Sequence, residues 1–444
     1  MRRIAVVFFY LTLILALFQR STEGVDWNEV MLAIMVSMNL AGIMVLFVGK
    51  RLRGAAFVLP LLVLTIIWLP LNIWWGAMND AKLFQSLRRA MPLIAFSTMA
   101  TAALQWLRTS TELKKAYGTI CTASVLAVVL KMPILAGFQL TELQEFRRLS
   151  EVMGGYYSVL GATLLFPLAI ASESRGIRLA AALGFGISLV GLVLSLTRTY
   201  WIVGLISLLT ILLWGLGKRA FHRALLLIGS GCALLLVLAP FTMVSFIGVR
   251  MKDFTRIAND YSVLNRWQEL QGVLSALFDR PVALLLGQGL GGEFTFYSID
   301  PFYPKGSGFV STDYSHNFYV YVLLQLGMPG FLLWLYPLLI CYVRALRTMR
   351  QMLSDRHLLT GLIAVLTGLI VANFVAPPML FTGVASYLGA VIGITWRLAG
   401  ISQEELQRRH QSLNQTLRMG VRSGKSGLSP NDKNLLSFTG CVKR

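Results

Sequence analysis

The sequence predicts an all-α membrane protein of about twelve transmembrane helices, with a large, partly helical loop on the outer face between helices 9 and 10. Three observations predict it. The chain of 444 residues is 56% hydrophobic and only 14% charged, which excludes an ordinary soluble domain. Its apolar runs have the length, roughly 17–25 residues, that a bilayer demands. Its Lys and Arg gather in short loops of alternate parity, as the positive-inside rule requires.

The spans have approximate cores at 4–18, 30–48, 54–76, 91–107, 116–138, 156–172, 178–196, 200–216, 223–247, 330–344, 358–376 and 380–397. The first follows Met1-Arg2-Arg3, like the start of a signal peptide, but Phe18-Gln19-Arg20-Ser21 offers no small-x-small cleavage site. A retained anchor is therefore expected. The basic loops are Lys50-Arg51-Arg53, Arg108 with Lys114-Lys115, Arg175 with Arg178, and Lys218-Arg219 with Arg223. Assigning them to the cytoplasm puts both termini inside. Lys82, Arg88 and Arg89 dissent, falling on the outer side. The net charge of +20 is thus a topological signal, and no nucleic-acid partner is expected. Cys121, Cys232 and Cys341 lie in spans and Cys441 in the tail, so neither a disulfide framework nor a CxxC metal site is available.

Four regions follow: 1–248 with spans 1–9, 249–329 as the outer loop, 330–400 with spans 10–12, and 401–444 as a basic cytoplasmic tail. In the loop, Leu264, Trp267, Leu270, Leu274 and Leu277 recur at helical spacing, which predicts an amphipathic helix resting in the interface or against the bundle. Gly287-Gln288-Gly289-Leu290-Gly291-Gly292 ends it. No strand precedes these glycines, so a dinucleotide fingerprint is excluded. The apolar run from Asn317 to Val343 is too long for one straight span and is broken at Gly327-Met328-Pro329-Gly330. A short outer helix up to Leu326, followed by a span over 330–344, keeps Arg344, Arg347, Arg350 and Arg356 inside. The tail from Ser402 reads as a short amphipathic helix at best, and beyond Met419 as disorder.

The chemistry-bearing residues gather on the outer face. Of four histidines, His222, His357 and His410 sit among Arg and Lys in cytoplasmic segments, while His316 ends the polar loop. Arg198 lies in the turn between spans 7 and 8, where a charge so near hydrocarbon marks a functional site or grips lipid headgroups. Arg266 falls off the leucine stripe of the loop helix. Lys131, about two-thirds of the way outward in the fifth span, is a weaker candidate for an anionic headgroup. Each taken alone has a bland reading as a solvated charge or a satisfied polar group. Together, two arginines and a histidine on one face are the parts of a transfer that expels a diphosphate. Arginine's fork binds phosphate oxygens bidentately, and a neutral imidazole takes a proton from an attacking hydroxyl. The loop's aromatics, among them Phe294, Phe296, Tyr297, Phe302, Tyr303 and Phe309, suit either a sugar-handling surface or an interfacial belt.

Ser195-Leu196-Thr197-Arg198, Asn265-Arg266-Trp267 leading to Leu286-Gly287-Gln288-Gly289, and His316-Asn317 with Gly327-Met328-Pro329-Gly330 resemble, in order and spacing, the O-antigen ligase and polymerase superfamily. The resemblance covers roughly 155–345. It implies an inverting glycosyltransferase of the bacterial inner membrane, working on the periplasmic side without a metal, nucleotide sugar or other cofactor. The implied donor is a glycan on undecaprenyl diphosphate. The acceptor is lipid A–core for a ligase, or another lipid-linked repeat for a polymerase. By this resemblance His316 is the base and Arg198 and Arg266 hold the diphosphate; Lys131, outside the resembling stretch, is a further diphosphate-binding candidate from its place in the fifth span. Asn317 orients the histidine or its loop, and Gly287 and Gly289 support the site. The chain departs from the family just after Arg198, where Thr199-Tyr200-Trp201 replace a small-residue step.

Two other classes fit less well. A metal-dependent lipid-linked glycosyltransferase wants clustered acidic residues in an early outer loop, and Glu23 and Asp26 form no DxD pair. A transporter or flippase wants charges deep in several spans, where Lys131 stands almost alone. Ligase and polymerase are not separated by these motifs.

Overall fold

The computed structural model describes residues 2–18, 27–49, 52–131, 155–195, 197–215, 220–229, 261–299, 308–351, 355–375 and 378–423. In chain order the elements are α1 (Arg2–Ala16), α2 (Trp27–Val48), α3 (Ala55–Met78), α4 (Leu83–Trp106), α5 (Ser110–Val129), α6 (Gly155–Ala171), α7 (Arg175–Leu194), α8 (Arg198–Gly215) and α9 (Ala220–Gly229). After them come α10 (Tyr261–Phe278), α11 (Pro281–Leu286), β1 (Phe294–Ser298), β2 (Gly308–Thr312), α12 (Phe318–Gln351), α13 (Arg356–Val375) and α14 (Thr382–Ser423). The protein is mainly helical, as expected.

Among the described residues, six helices are long and apolar enough to cross a membrane: α2, α3, α7, α12, α13 and the Thr382–Glu404 part of α14. The helices α4 and α5 have the length but carry more polar and small residues. For α4 the reason is position. Its run from Ala95 to Trp106 is buried throughout, and it packs along α14, where a Cβ on Gly389 or Gly393 would strike the carbonyls of Phe96 and Ala100. Small residues one turn apart let two backbones approach closely, and van der Waals packing then holds helices that hydrophobicity cannot drive together in lipid. The pair α6–α7 uses the same device at Gly161, Gly184 and Gly191. Of the expected ninth span, α9 covers the part up to Gly229 and the rest lies outside the described residues, as do Phe302 and Tyr303. The last helix continues past Ser402 to Ser423, further than the short tail helix expected.

One end of the bundle gathers basic residues. There Arg2 pairs with Glu112 and bonds the Trp106 carbonyl, Lys114 pairs with Asp355 at 2.8 Å, and Arg397 bonds the Arg108 carbonyl. The other end carries a module built from α10, α11 and the strands. Val273, Leu277, Ala283, Phe294, Phe296, Val310 and Leu324 form its small core, separate from that of the bundle.

The hairpin in that module was not anticipated. β1 and β2 pair antiparallel with Phe294 opposite Thr312 and Ser298 opposite Gly308. Phe294, Phe296 and Ser298 point inward and Thr295 and Tyr297 outward, the alternation of a half-buried strand. The buried face of α10 also differs from expectation. Trp267 is 57% exposed and Leu264 also exposed, while Asn265, Glu269, Val273 and Leu277 are buried. The helix therefore turns a polar-and-apolar face inward, and of the expected stripe Leu264 and Trp267 are exposed, Leu270 and Leu274 half-buried and Leu277 buried. On that face Asn265 and Glu269 accept the backbone N–H groups of Ile299 and His316, donors that burial would otherwise leave unpaired.

The glycine-rich stretch fastens this module to the bundle through main-chain bonds. Gln288 N–H donates to the Leu324 carbonyl at 2.7 Å and Leu290 N–H to the Asn72 carbonyl at 3.2 Å. The buried Gln325 amide accepts from Gly291 N–H at 2.6 Å and donates to the Gly292 carbonyl at 2.7 Å. Gly289 has φ +88° and its Cα lies against the Gly76 backbone, so no side chain fits on either. The expected break is present: Gly327 (φ 66°, ψ −177°) is non-helical and divides α12 at a kink into a short helix that ends at Leu326 and a longer one that runs to Gln351.

Candidate active site

The site is organised by the short stretch from Asp313 to Asn317, which leaves β2 and enters α12. It runs between α4 on one side and α10 on the other. Asp313 is held by Arg89 of α4, and Gln85, one turn earlier, bonds the same carboxylate. Burial alone would raise the Asp313 carboxyl, but those hydrogen bonds and the guanidinium charge hold it below the usual carboxylate range.

His316 faces α10. Its Nδ1 lies 2.9 Å from Glu269 Oε2 and 3.1 Å from Oε1, and its backbone N–H donates to Oε2 at 3.2 Å. The Glu269 side chain is only 2% exposed, the His316 side chain 33%. The ring of Tyr314 meets the imidazole edge-on at 4.9 Å. Desolvation pushes the Tyr314 phenol above its ordinary value and the Glu269 carboxylate adds to this, against the pull of Arg266 and Arg89, so Tyr314 stays protonated at neutral pH.

Arg266 precedes Glu269 by one helical turn and is half-buried. It lies close enough to Tyr314 and to Tyr200 to interact electrostatically with both phenols. Tyr200 ties in the next segment, because Arg198, also half-buried, opens α8 two residues before it. Tyr200, one of the residues at which the chain departs from its resemblance, is thus close to Arg266 and two residues from Arg198. Both guanidiniums are engaged within the protein.

The other expected residues lie further out. Lys131, just past the end of α5, sits over the Tyr157 ring at 5.5 Å, and the neighbouring Tyr156 meets Tyr200 edge-on at 6.3 Å. Among the described residues no contact joins Lys131 to His316; its partner is the Tyr157 ring. Asn317 does not touch the imidazole. Its Oδ1 accepts from the N–H groups of Tyr319 and Val320 at 3.1 and 3.3 Å, so it caps α12 and ends the loop that carries the histidine. Gly287 and Gly289 belong to the main-chain clamp described above. The aromatics divide: Phe294 and Phe296 fill the module's core, whereas Phe309, 81% exposed, and Tyr297 pair edge-on at the outside.

Glu269 and Asp313 were missed from the sequence, while Arg89 stood out only as a dissenting outer-side charge and Tyr314 only as one of the loop's aromatics. The available signals were an acidic residue one turn after Arg266 and an outer-side arginine with an unassigned outer-side aspartate. A cavity of about 420 Å³ adjoins the site, lined among others by Trp75, Asn79, Lys82, Gln85, Arg280 and Glu293. Gln85 faces it and also reaches Asp313. Among the described residues no three His, Cys, Asp or Glu side chains are grouped to hold a metal ion.

These features define a multi-pass membrane protein whose ionisable groups converge under a folded module at one end of the bundle. Residues 183–335, about a third of the chain, match the family model described as O-antigen ligase. That segment runs from α7 into α12 and contains Arg198, Arg266, Glu269 and His316. The match supports the O-antigen ligase and polymerase superfamily. Comparison with curated proteins gave no match.

Proposed function

We propose that this protein transfers a glycan from undecaprenyl diphosphate to an acceptor hydroxyl on the periplasmic side of the bacterial inner membrane, acting as a ligase on lipid A–core. The observation that carries this is the convergence of the His316 imidazole and the Arg266 guanidinium on the Tyr314–Glu269 cluster, within the segment matching the family. The basic end of the bundle then faces the cytoplasm, with both termini.

In this reading His316 Nε2 takes the proton of the acceptor hydroxyl as its oxygen attacks the anomeric carbon. The new carbon–oxygen bond forms on the face opposite the diphosphate, so the configuration inverts. The bond to the diphosphate oxygen breaks and undecaprenyl diphosphate leaves with the electron pair. Arg198 and Arg266, with Lys131 in support, stabilise the charge that grows on it. The imidazolium then gives its proton to water. We assign the acceptor sugar to the cavity beside Gln85, about one helical turn from the Arg89–Asp313 pair and across the 313–316 stretch from α10. Trp75 offers it a stacking face and the amides of Asn79 and Gln85 offer hydrogen bonds.

The test is the surface polysaccharide of a strain lacking the protein, complemented with the unaltered chain or with His316→Ala. Bare lipid A–core with accumulated lipid-linked polymer, cured only by the unaltered chain, supports the ligase. Core carrying a single repeat unit identifies a polymerase built on the same site. Full function of His316→Ala refutes the assignment of the base.

A further inference from the structure

We infer that Glu269 is a positioning residue for the transfer, fixing the proton of His316 on Nδ1 and so presenting the Nε2 lone pair to the acceptor. This rests on the reading of His316 as the base.

The geometry leaves little freedom. An ionised carboxylate only accepts hydrogen bonds, and both Glu269 oxygens lie within 3.1 Å of Nδ1. The neutral imidazole must therefore carry its hydrogen there. The other tautomer would set a ring lone pair against two carboxylate lone pairs and strip a donor from a carboxylate buried to 2% exposure. Leaving a buried carboxylate short of partners is strongly unfavourable. The same carboxylate also holds the His316 backbone N–H, so it fixes the place of the residue as well as the ring. As the acceptor proton arrives on Nε2, the adjacent negative charge stabilises the imidazolium that forms, the role a buried carboxylate plays behind other catalytic histidines.

Helix α10 makes this a property of the scaffold. Asn265 and Glu269, four residues apart, lie on one helical face. Asn265 Oδ1 accepts from the backbone N–H of Ile299, just past β1, at 3.3 Å, while Glu269 takes that of His316, just past β2. The helix thus grips both ends of the hairpin. Arg266 stands between the two grips, so one rigid element sets the base and one of the cations for the leaving group.

The full-length protein in detergent, labelled with ¹⁵N-histidine, tests this without any glycan. Only four histidines contribute signals, and His316→Asn identifies the relevant one. In the neutral state His316 should carry its proton on Nδ1. Glu269→Ala should move most of it to Nε2, and Glu269→Asp should keep it on Nδ1. Binding of undecaprenyl diphosphate should be unchanged by Glu269→Ala, while glycan transfer in the complemented strain falls by on the order of 10²–10⁴-fold and recovers in part with Asp. A proton on Nε2 in the unaltered protein overturns the inference, even where Glu269→Ala does not fold. So does an unchanged tautomer in Glu269→Ala, or loss of diphosphate binding in step with transfer. Full transfer by His316→Ala overturns the base itself, whichever tautomer is found.

Discussion

Arg89 holds Asp313 in a two-pronged ion pair, with Nε 2.7 Å from Oδ2 and Nη2 2.8 Å from Oδ1. This pair gives Arg89, one of the three basic residues that dissent from the expected charge pattern, a partner next to the histidine loop. The arginine belongs to a site, and its charge is spent on an aspartate three residues before His316. A fork-on-carboxylate geometry fixes orientation as well as distance, so α4 sets where the histidine loop begins and α10 sets where its ring points.

Asp313→Asn should lower the thermal stability of the protein in detergent by on the order of 1–3 kcal/mol, the worth of hydrogen bonds to a charged group. The pH dependence has a definite sign. The Asp313 carboxyl is held below the usual range in the folded protein. Its contribution is therefore full above the unfolded value of about 3.9 and disappears as pH falls through the lower folded value. The stability gap between wild type and Asp313→Asn should be flat from neutrality to about pH 5 and close below about pH 4. A gap that already closes between about pH 5 and 7 would mean that another group is responsible.

Arg266→Ala and Arg198→Ala should each weaken the binding of undecaprenyl diphosphate by about 10- to 100-fold, the loss of one or two charge-assisted bonds. Lysine at either position should recover only part of this, because a point charge cannot reproduce the planar fork. Unaltered binding in Arg266→Ala would remove that residue from the donor site and leave His316 unaffected as a candidate base.

Replacing Lys82 and Arg280 together with alanine should raise the KM for the acceptor several-fold and leave donor binding intact. Both side chains line the cavity beside Gln85 and both residues are exposed, so folding should not suffer. An unchanged acceptor KM, or a change confined to the donor, would place the acceptor elsewhere.

Asn317→Ala should cost about 1 kcal/mol of stability, the usual worth of a helix N-cap, and Asn317→Asp should restore it. Because the side chain caps α12 and does not touch the imidazole, kcat should fall only several-fold. Complete loss of transfer in a folded Asn317→Ala protein would assign the residue a direct part in the chemistry.

Much of this arrangement was legible in the chain. His316 could be singled out because three of four histidines fall in basic segments, and Gly327 because an apolar run of that length cannot stay straight. Glu269 was not legible, since an acidic residue one turn after an arginine on an amphipathic helix looks like a solvated pair. Its burial depends on a hairpin that periodicity did not reveal. The alternation in Phe294-Thr295-Phe296-Tyr297-Ser298 was available, yet in a membrane protein aromatic clusters also mark an interface, and that competing explanation hid the strand. Lys131 shows the opposite limit. Span counting placed it in the fifth span on the side of the histidine, but only packing showed that its ammonium sits over the Tyr157 ring.

The contact between Gly289 and Gly76 has a bearing on how such a protein can diversify. Where two main chains touch with nothing between them, neither partner tolerates any larger residue, and a lone substitution on either side has no compensating neighbour to shrink. Tyr297 and Phe309, by contrast, stand at the rim with their side chains turned away from the module's core. Descendants of this chain can therefore exchange residues at the hairpin's outward surface, while the seam beneath them keeps its geometry unchanged.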